Sequence, residues 1–163
     1  MSRIAQCRAM ENAELIIRCA TQGDLPRLLD LYQHLLAGDE RADDASAAEA
    51  FGQFLRYAGS AIFLGEVDGI LVASCVLVVV PNLTRGARPY GLIENVVTHK
   101  GYRQRGHGRR ILDAATAAAR RAGCYKLMLL TGSKEAGTLE FYLRAGFEQS
   151  KTGFQKRLIP VLS

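Results

Sequence analysis

Apolar positions along this chain repeat with two different spacings, and each spacing predicts its own kind of element. Leu25, Leu28, Leu29, Tyr32, Leu35 and Leu36 stand three or four residues apart, the stripe of an amphipathic helix. Thr21-Gln22-Gly23-Asp24 ahead of it offers a capping box or an Asp24 N-cap, and Pro26 falls in the first turn, where a missing N–H does little harm. Phe51, Phe54, Leu55 and Ala58 mark a second helix running to about residue 58, after an acidic link over 38–44. A third helix is expected over about 105–122, burying Ile111, Leu112, Ala115, Ala118, Ala119 and Ala122 with Gly123 as its C-cap, and a fourth over 138–145. Alternating or continuous apolar runs predict the strands. These are 14–20, then 61–66 and 69–80 as a hairpin around Val67-Asp68-Gly69, then 90–98 after the turn-rich loop 81–89. A strand over 125–131 and closing strands over 147–149 and 154–158 complete the pattern. Strands mixed with hairpins and crossover helices in this order predict an α+β layered sheet.

Length and composition narrow this picture. With 163 residues the chain is long enough for one hydrophobic core and too short for two ordinary domains. Residues 14–163 are therefore expected to form a single domain, with 1–13 a flexible extension and Met10 an alternative start. A hydrophobic content of 48% excludes general disorder. The longest apolar run, 70–80, is too short to span a membrane, and 1–13 lacks the apolar stretch of a secretory signal. Cys7, Cys19, Cys75 and Cys124 are scattered without a C-x-x-C pair, which reads as reduced thiols in a cytoplasmic protein. His34, His99 and His107 show no ligand spacing, so no metal is expected.

The chemistry concentrates in 92–108, LIENVVTHKGYRQRGHG, where an apolar strand runs through a basic, glycine-punctuated turn into the third helix. A helix N-terminus at such a turn presents unpaired N–H groups to an anion, typically a phosphate. Gly101 and Gly106 match the glycine spacing of a Walker A loop, but His107 and Gly108 occupy its Lys and Ser/Thr positions, so that reading fails. A dinucleotide fingerprint through Gly106 and Gly108 breaks at Ile111. What remains is Arg103-Gln104-Arg105-Gly106-His107-Gly108, an R-x-x-G-x-G turn flanked by Arg109 and Arg110. After a strand ending Val96-Val97-Thr98, with Tyr102 just ahead, this turn resembles the acetyl-CoA turn of the GNAT N-acetyltransferase superfamily. Phe141-Tyr142-Leu143-Arg144-Ala145-Gly146-Phe147 resembles the F-Y-x-x-x-G-F signature of the same superfamily. The resemblance covers about residues 14–159 and is firm over 92–147.

The resemblance implies a mixed, mostly antiparallel sheet with splayed parallel strands 4 and 5 and about four helices on its two faces. It implies that acetyl-CoA is the cosubstrate, its pantetheine arm held by the backbone of Val96, Val97 and Thr98. Its pyrophosphate would lie on N–H groups from Arg105 to Arg109 within the turn Arg103, Gln104, Arg105, Gly106, His107, Gly108 and Arg109. This donor accounts for the densest part of the net charge of +5, so neither nucleic acid nor membrane is expected as a partner. Tyr142 is implied as the acid that protonates the leaving thiolate; the plainer alternative is a packing tyrosine. A backbone N–H of Val96 or Val97 would polarise the thioester carbonyl.

For the base that takes the amine's proton, Glu94 stands in an otherwise apolar strand, where an ionisable side chain needs a reason. By period two it points away from its neighbour Asn95. A structural carboxylate is the alternative, and His99 is a second candidate base. The acceptor is less legible. Asp39, Glu40, Asp43, Asp44 and Glu49 suit a cationic amine, while Arg85 and Arg88 suit a carboxylate or phosphate; Arg85, Arg88, Glu94 and Thr131 form the expected substrate set. Together they fit a small amine bearing an acidic group, such as an amino acid or an amino-sugar phosphate. The I-E-N-V-V strand with Gly123-Cys124-Tyr125-Lys126 is similar to glucosamine-6-phosphate N-acetyltransferases, mainly in the cofactor half. Three activities stay open: N-acetylation of a small molecule, acetylation of protein at a lysine or N-terminus, and CoA sensing without turnover. A homodimer stays open as the assembly.

Overall fold

A computed structural model of the chain describes residues 14–35 and 41–158. The expected N-terminal extension, Cys7, Leu36, Asp39 and Glu40 lie outside the described residues. The chain forms two compact units, one ending at Leu129 and the other beginning at Leu130.

In the first unit the order is β1 (Ile16–Cys19), α1 (Leu25–Tyr32), α2 (Asp44–Leu55), β2 (Ala61–Val67), β3 (Ile70–Val80), β4 (Tyr90–Thr98), α3 (His107–Arg121) and β5 (Leu127–Leu129). The sheet runs β1-β2-β3-β4-β5, antiparallel throughout except for the parallel pair β4 and β5. The β2–β3 hairpin closes on Asp68 and Gly69, with φ of 50° and 77°, the left-handed pair that matches the twist of its strands.

Each face of the sheet has its own helical cover. Leu28 and Leu31 of α1 and Phe51 of α2 share a core with Ile62, Leu64, Val76 and Val97. The alternate positions meet α3. Gly65 lies against Ile111, the Cys75 thiol donates to the Ile111 carbonyl at 3.7 Å, and Gly91 approaches Ala119. The stripe read for the third helix is the buried one, with Ile111, Leu112, Ala115 and Ala119 inside. Gly123, at φ 74°, ends it in the left-handed conformation.

The edge of the sheet is tied by charge. Arg18 on β1 donates twice to Asp24, at 2.6 and 2.7 Å, and once to Glu66 on β2 at 2.7 Å. Arg27 on α1 donates to Glu66 at 3.0 Å and to the Gly69 carbonyl at 2.8 Å. Asp24 is buried and also accepts from the Thr21 N–H at 2.8 Å, so a 3-10 turn at Gln22–Asp24 precedes α1.

Several expected bounds shift. The second helix stops at Leu55, and Gly59, at φ 75°, turns the chain into β2. The strand expected over 125–131 pairs only over Leu127–Leu129. In the second unit α4 spans Ala136–Arg144, and the closing strands expected over 147–149 and 154–158 do not form. Phe154 and Leu158 are exposed by 94% and 88%, so neither pairing nor burial holds that segment extended.

Candidate active site

The central element is β4, because its two edges are treated differently along its length. On one side it pairs with β3 over nearly its whole length. On the other, β5 reaches only Gly91, Leu92 and Ile93. From Glu94 to Thr98 that edge has no strand partner among the described residues. Gly91 permits the close approach of β5: a Cβ there would lie 2.6 Å from Leu127 Cδ1 and 3.1 Å from Leu77 Cδ1.

At the point where pairing with β5 stops, β4 carries a bulge. Glu94 lies opposite Val76 and Val97 opposite Ser74, so three steps on β4 match two on β3. The extra residue sits at Asn95, whose φ is +49°. A bulge inserts one unpaired residue and bends the strand. It also changes the facing of the residues beyond it, so the period-two count from Glu94 does not carry past Asn95. Val97 joins Val76 in the α1–α2 core. Main-chain direction can be read from the end of the strand. The His99 N–H donates to the Val72 carbonyl on β3 at 2.8 Å. By alternation Val97 also turns its main-chain groups to β3, leaving those of Val96 and Thr98 on the open edge.

The turn comes directly after β4. His99 Nδ1 accepts from the Gly101 N–H at 3.1 Å and starts a 3-10 turn over Lys100–Tyr102. Gln104 and Gly106 are both left-handed, at φ 62° and 79°, and together they reverse the chain into α3. Gly106 is the N-cap and no side chain caps the helix, so the first-turn N–H groups, those of His107 and Gly108 foremost, have no intrahelical acceptor. A Cβ at Gly106 would meet nothing within 4 Å, so that space lies open beside the main chain. His107 is buried, its Nδ1 without a hydrogen-bond partner. Burial, then Arg105 and Arg110, holds its pKa below the usual imidazole value.

The arginines divide their work. Arg103 Nε donates to the Thr98 carbonyl and its Nη2 to the His34 carbonyl, both at 3.2 Å. Arg103 therefore braces the turn against the end of β4 and the chain after α1. Arg109 pairs with Asp113 at 3.0 Å and Arg110 donates to the Leu15 carbonyl at 3.0 Å. Arg105 lies over the Tyr102 ring, 5.2 Å from its centroid. The geometry is that of an anion cradle at a helix start beside an open strand edge, which suits an extended ligand carrying a phosphate.

Glu94 is half-buried on β4. Near it the structure gathers polar groups that sequence reasoning missed. Tyr32, on α1, packs on the core that holds Val76 and Val97, and burial pushes its hydroxyl pKa up to about 12. Ser74 is fully buried and its Oγ has no hydrogen-bond partner. In the sequence Tyr32 reads only as part of an apolar stripe. The signal available is Asn95 itself, a residue that tolerates the left-handed region, set in an apolar strand. His34 and His99, far apart in sequence, bring their rings to 4.1 Å between centroids.

Arg85 and Arg88 are exposed in the 81–89 loop. Asn82 braces that loop, its Nδ2 donating to the Thr84 and Arg88 carbonyls, and Arg85, Gly86 and Ala87 are all left-handed. In the second unit Tyr142 lies on α4, its ring edge-on to Phe141 at 5.0 Å and to Phe147 at 6.2 Å. The Thr131 Oγ1 accepts from the Ser133 N–H at 3.2 Å.

The model of the Acetyltransferase (GNAT) family matches residues 25–147. A glucosamine 6-phosphate N-acetyltransferase of Trypanosoma brucei brucei is 32% identical over 139 residues, 82% of this chain and 89% of that protein. A candidate acetyltransferase from Agrobacterium tumefaciens str. C58, of solved structure, is 46% identical with a TM-score of 0.83 over 87% of this chain and 99% of that one. AAC(6')-Iy, solved with a CoA-containing bisubstrate analogue, shares the fold at 18% identity, with a TM-score of 0.76 over 91% of this chain and 100% of its own.

Proposed function

The chain belongs to the GNAT family of acetyltransferases, and we propose that it moves the acetyl group of acetyl-CoA to the primary amine of a small molecule by direct attack in a ternary complex. The observation that carries this reading is the open edge of β4 over 94–98 leading into the uncapped start of α3. The main chain of Val96 and the N–H of Thr98 offer a pantetheine arm strand-like hydrogen bonds, the Thr98 carbonyl being engaged by Arg103. The N–H groups of His107 and Gly108 offer a diphosphate the positive end of a helix dipole. Support for one domain over 14–163 comes from the family match, which runs through both compact units.

In the reaction, a neutral amine attacks the thioester carbonyl, the C–N bond forms and the C–S bond breaks. Glu94 takes the proton that the ammonium must lose before attack and releases it to solvent; the Tyr142 hydroxyl gives a proton to the departing thiolate and is restored, through solvent, by the second proton that the nitrogen sheds as the amide forms. The Val96 N–H stabilises the oxyanion that develops on the carbonyl. For the acceptor, the relative named as a glucosamine 6-phosphate N-acetyltransferase supports a phosphorylated amino sugar. Arg85 and Arg88 supply charge for such a phosphate, with Thr131 a further polar contact.

The test is a panel of amines, glucosamine 6-phosphate, amino acids, aminoglycosides and lysine peptides, incubated with acetyl-CoA while free thiol is read. We expect thiol release with a small phosphorylated or carboxylated amine and none with peptides. Release with peptides alone overturns the small-molecule reading, and release with no acceptor overturns the enzyme reading.

A further inference from the structure

His99, where β4 runs out into the glycine turn, makes contacts that depend on the charge of its ring. Its Nδ1 accepts from the Gly101 N–H at 3.1 Å and so caps the 3-10 turn over Lys100–Tyr102. Accepting there requires a lone pair on Nδ1, which leaves the ring proton on Nε2. The ring lies 4.1 Å between centroids from that of His34, just beyond α1, and 5.4 Å from that of Tyr102, edge-on. Tyr102 in turn carries the Arg105 guanidinium over its face, 5.2 Å from the centroid. A line of contacts thus runs from His99 through Tyr102 to a cation of the anion cradle. Arg103 closes it from the other side by donating to the Thr98 and His34 carbonyls, both at 3.2 Å.

The groups around the two rings do not welcome positive charge. Burial, then His99, Lys100 and Arg103, holds the His34 pKa below the usual imidazole value. A groove of about 260 Å³ beside the rings also carries Arg27 and Asp30 of α1. Arg27 is held by Glu66 and the Gly69 carbonyl, and the Asp30 carboxylate is taken by Arg41 at 2.8 Å. The β2–β3 hairpin contributes Gly69, Ile70 and Leu71 to that groove, all uncharged. A second proton on His99 would set an N–H against the Gly101 N–H and a cation beside Lys100 and Arg103. We propose that neutral His99 is a positioning residue that holds the turn, and with it Arg105 and the start of α3, in the form that receives the donor's diphosphate, and that protonation of His99 releases the turn. The inference rests on the acetyl-CoA reading above for its ligand, though not for the cap itself.

The sign of the pH dependence separates this role from plain charge. An imidazolium acting as one more cation would strengthen acetyl-CoA binding as pH falls, whereas a cap that must stay neutral weakens it. His99→Asn keeps an acceptor for the Gly101 N–H and has nothing to titrate; His99→Ala removes the acceptor as well. By calorimetry at about pH 8, H99N should bind acetyl-CoA within about twofold of the parent, and H99A about fivefold more weakly, the fold-change of one lost cap. Between about pH 8 and about pH 5.5 the parent should lose about tenfold more affinity than H99N. The ligand's own phosphate, titrating at about pH 6, and His107 are common to both proteins and cancel in that ratio. Ring nitrogen resonances of the free protein read the cap without any ligand, and should place the proton of neutral His99 on Nε2. A proton on Nδ1 overturns the cap. So does a parent whose affinity follows that of H99N with pH, or rises relative to it as pH falls. An H99A that binds like the parent at about pH 8 overturns the positioning role, as does an H99N as weak as H99A, since the ring's packing would then support the turn. If the parent binds no acetyl-CoA at either pH, the donor reading fails, and the ring tautomer still decides on the cap.

Discussion

Two side chains are assigned the proton transfers, and each can be removed with little change of shape. Tyr142→Phe keeps the ring that lies edge-on to Phe141 and Phe147. Losing one general acid should lower kcat by about 100-fold or more and leave acetyl-CoA affinity nearly unchanged, read by steady-state kinetics beside calorimetry. Glu94→Gln should lower kcat by a similar order with the amine acceptor, and equal turnover in the two forms would remove Glu94 as the base. Gly106 belongs to the same scale. At φ 79° it sits where a β-branched residue is strained, although the space beside it is open. Gly106→Val should therefore weaken acetyl-CoA binding by about tenfold through backbone conformation, not through a clash. The residue types of this site were legible, since glycines, arginines and an out-of-place carboxylate stand out in any apolar context. Their destinations were not. Arg103 is expected within the phosphate turn, and its guanidinium also bridges the Thr98 and His34 carbonyls, a contact that no local pattern announces.

At the scale of elements, β4 runs over Tyr90–Thr98 as its apolar pattern indicates, and its facing differs from that pattern. Period two holds only while each residue advances the strand by one step. Asn95 at φ +49° adds a residue without advancing the register, so Glu94 and Val97 pair opposite Val76 and Ser74. Gly91 shows a second property of the strand that composition conceals. Its missing side chain lets β5 and Leu77 close on it, with a Cβ placed 2.6 Å from Leu127 Cδ1. Gly91→Ala should destabilise the fold by about 1–3 kcal/mol through overpacking, measured as a fall in the denaturant midpoint. Because the contact lies at the start of the parallel pair, the loss should also appear as faster amide exchange in β5 than in β1.

For the whole molecule, the sheet with helices on both faces accounts for the core, and one charged network ties its outer edge. Asp24 is buried between Arg18 and the Thr21 N–H, and the Arg18 guanidinium holds its carboxyl well below the usual carboxylate range. A folded pKa below the unfolded one means that the unfolded chain takes up the proton first. The stabilisation is thus complete above the unfolded value, near pH 4, and is lost as pH falls further toward the folded value. Denaturant midpoints should fall steeply below about pH 4 in the parent protein. Asp24→Asn should be less stable at pH 7 by about 2 kcal/mol and show a flatter acid limb, with Arg18 still paired to Glu66. An identical acid limb in both proteins would assign the loss to other carboxylates.

The sequence by itself determined what depends on neighbours along the chain. Helix stripes, the Asp68–Gly69 hairpin and the glycine turn before α3 all arise from contacts within a few residues, where side-chain spacing and backbone sterics suffice. The family is carried by the same local motifs. Tertiary structure alone decided where groups face: the bulge at Asn95, the His34 ring against that of His99, and the bracing of Arg103 by a carbonyl 69 residues away. It also left 147–158 without strand pairing despite its apolar residues. Such features are fixed by which distant backbone and polar groups meet, and the local pattern of a chain carries no record of that meeting.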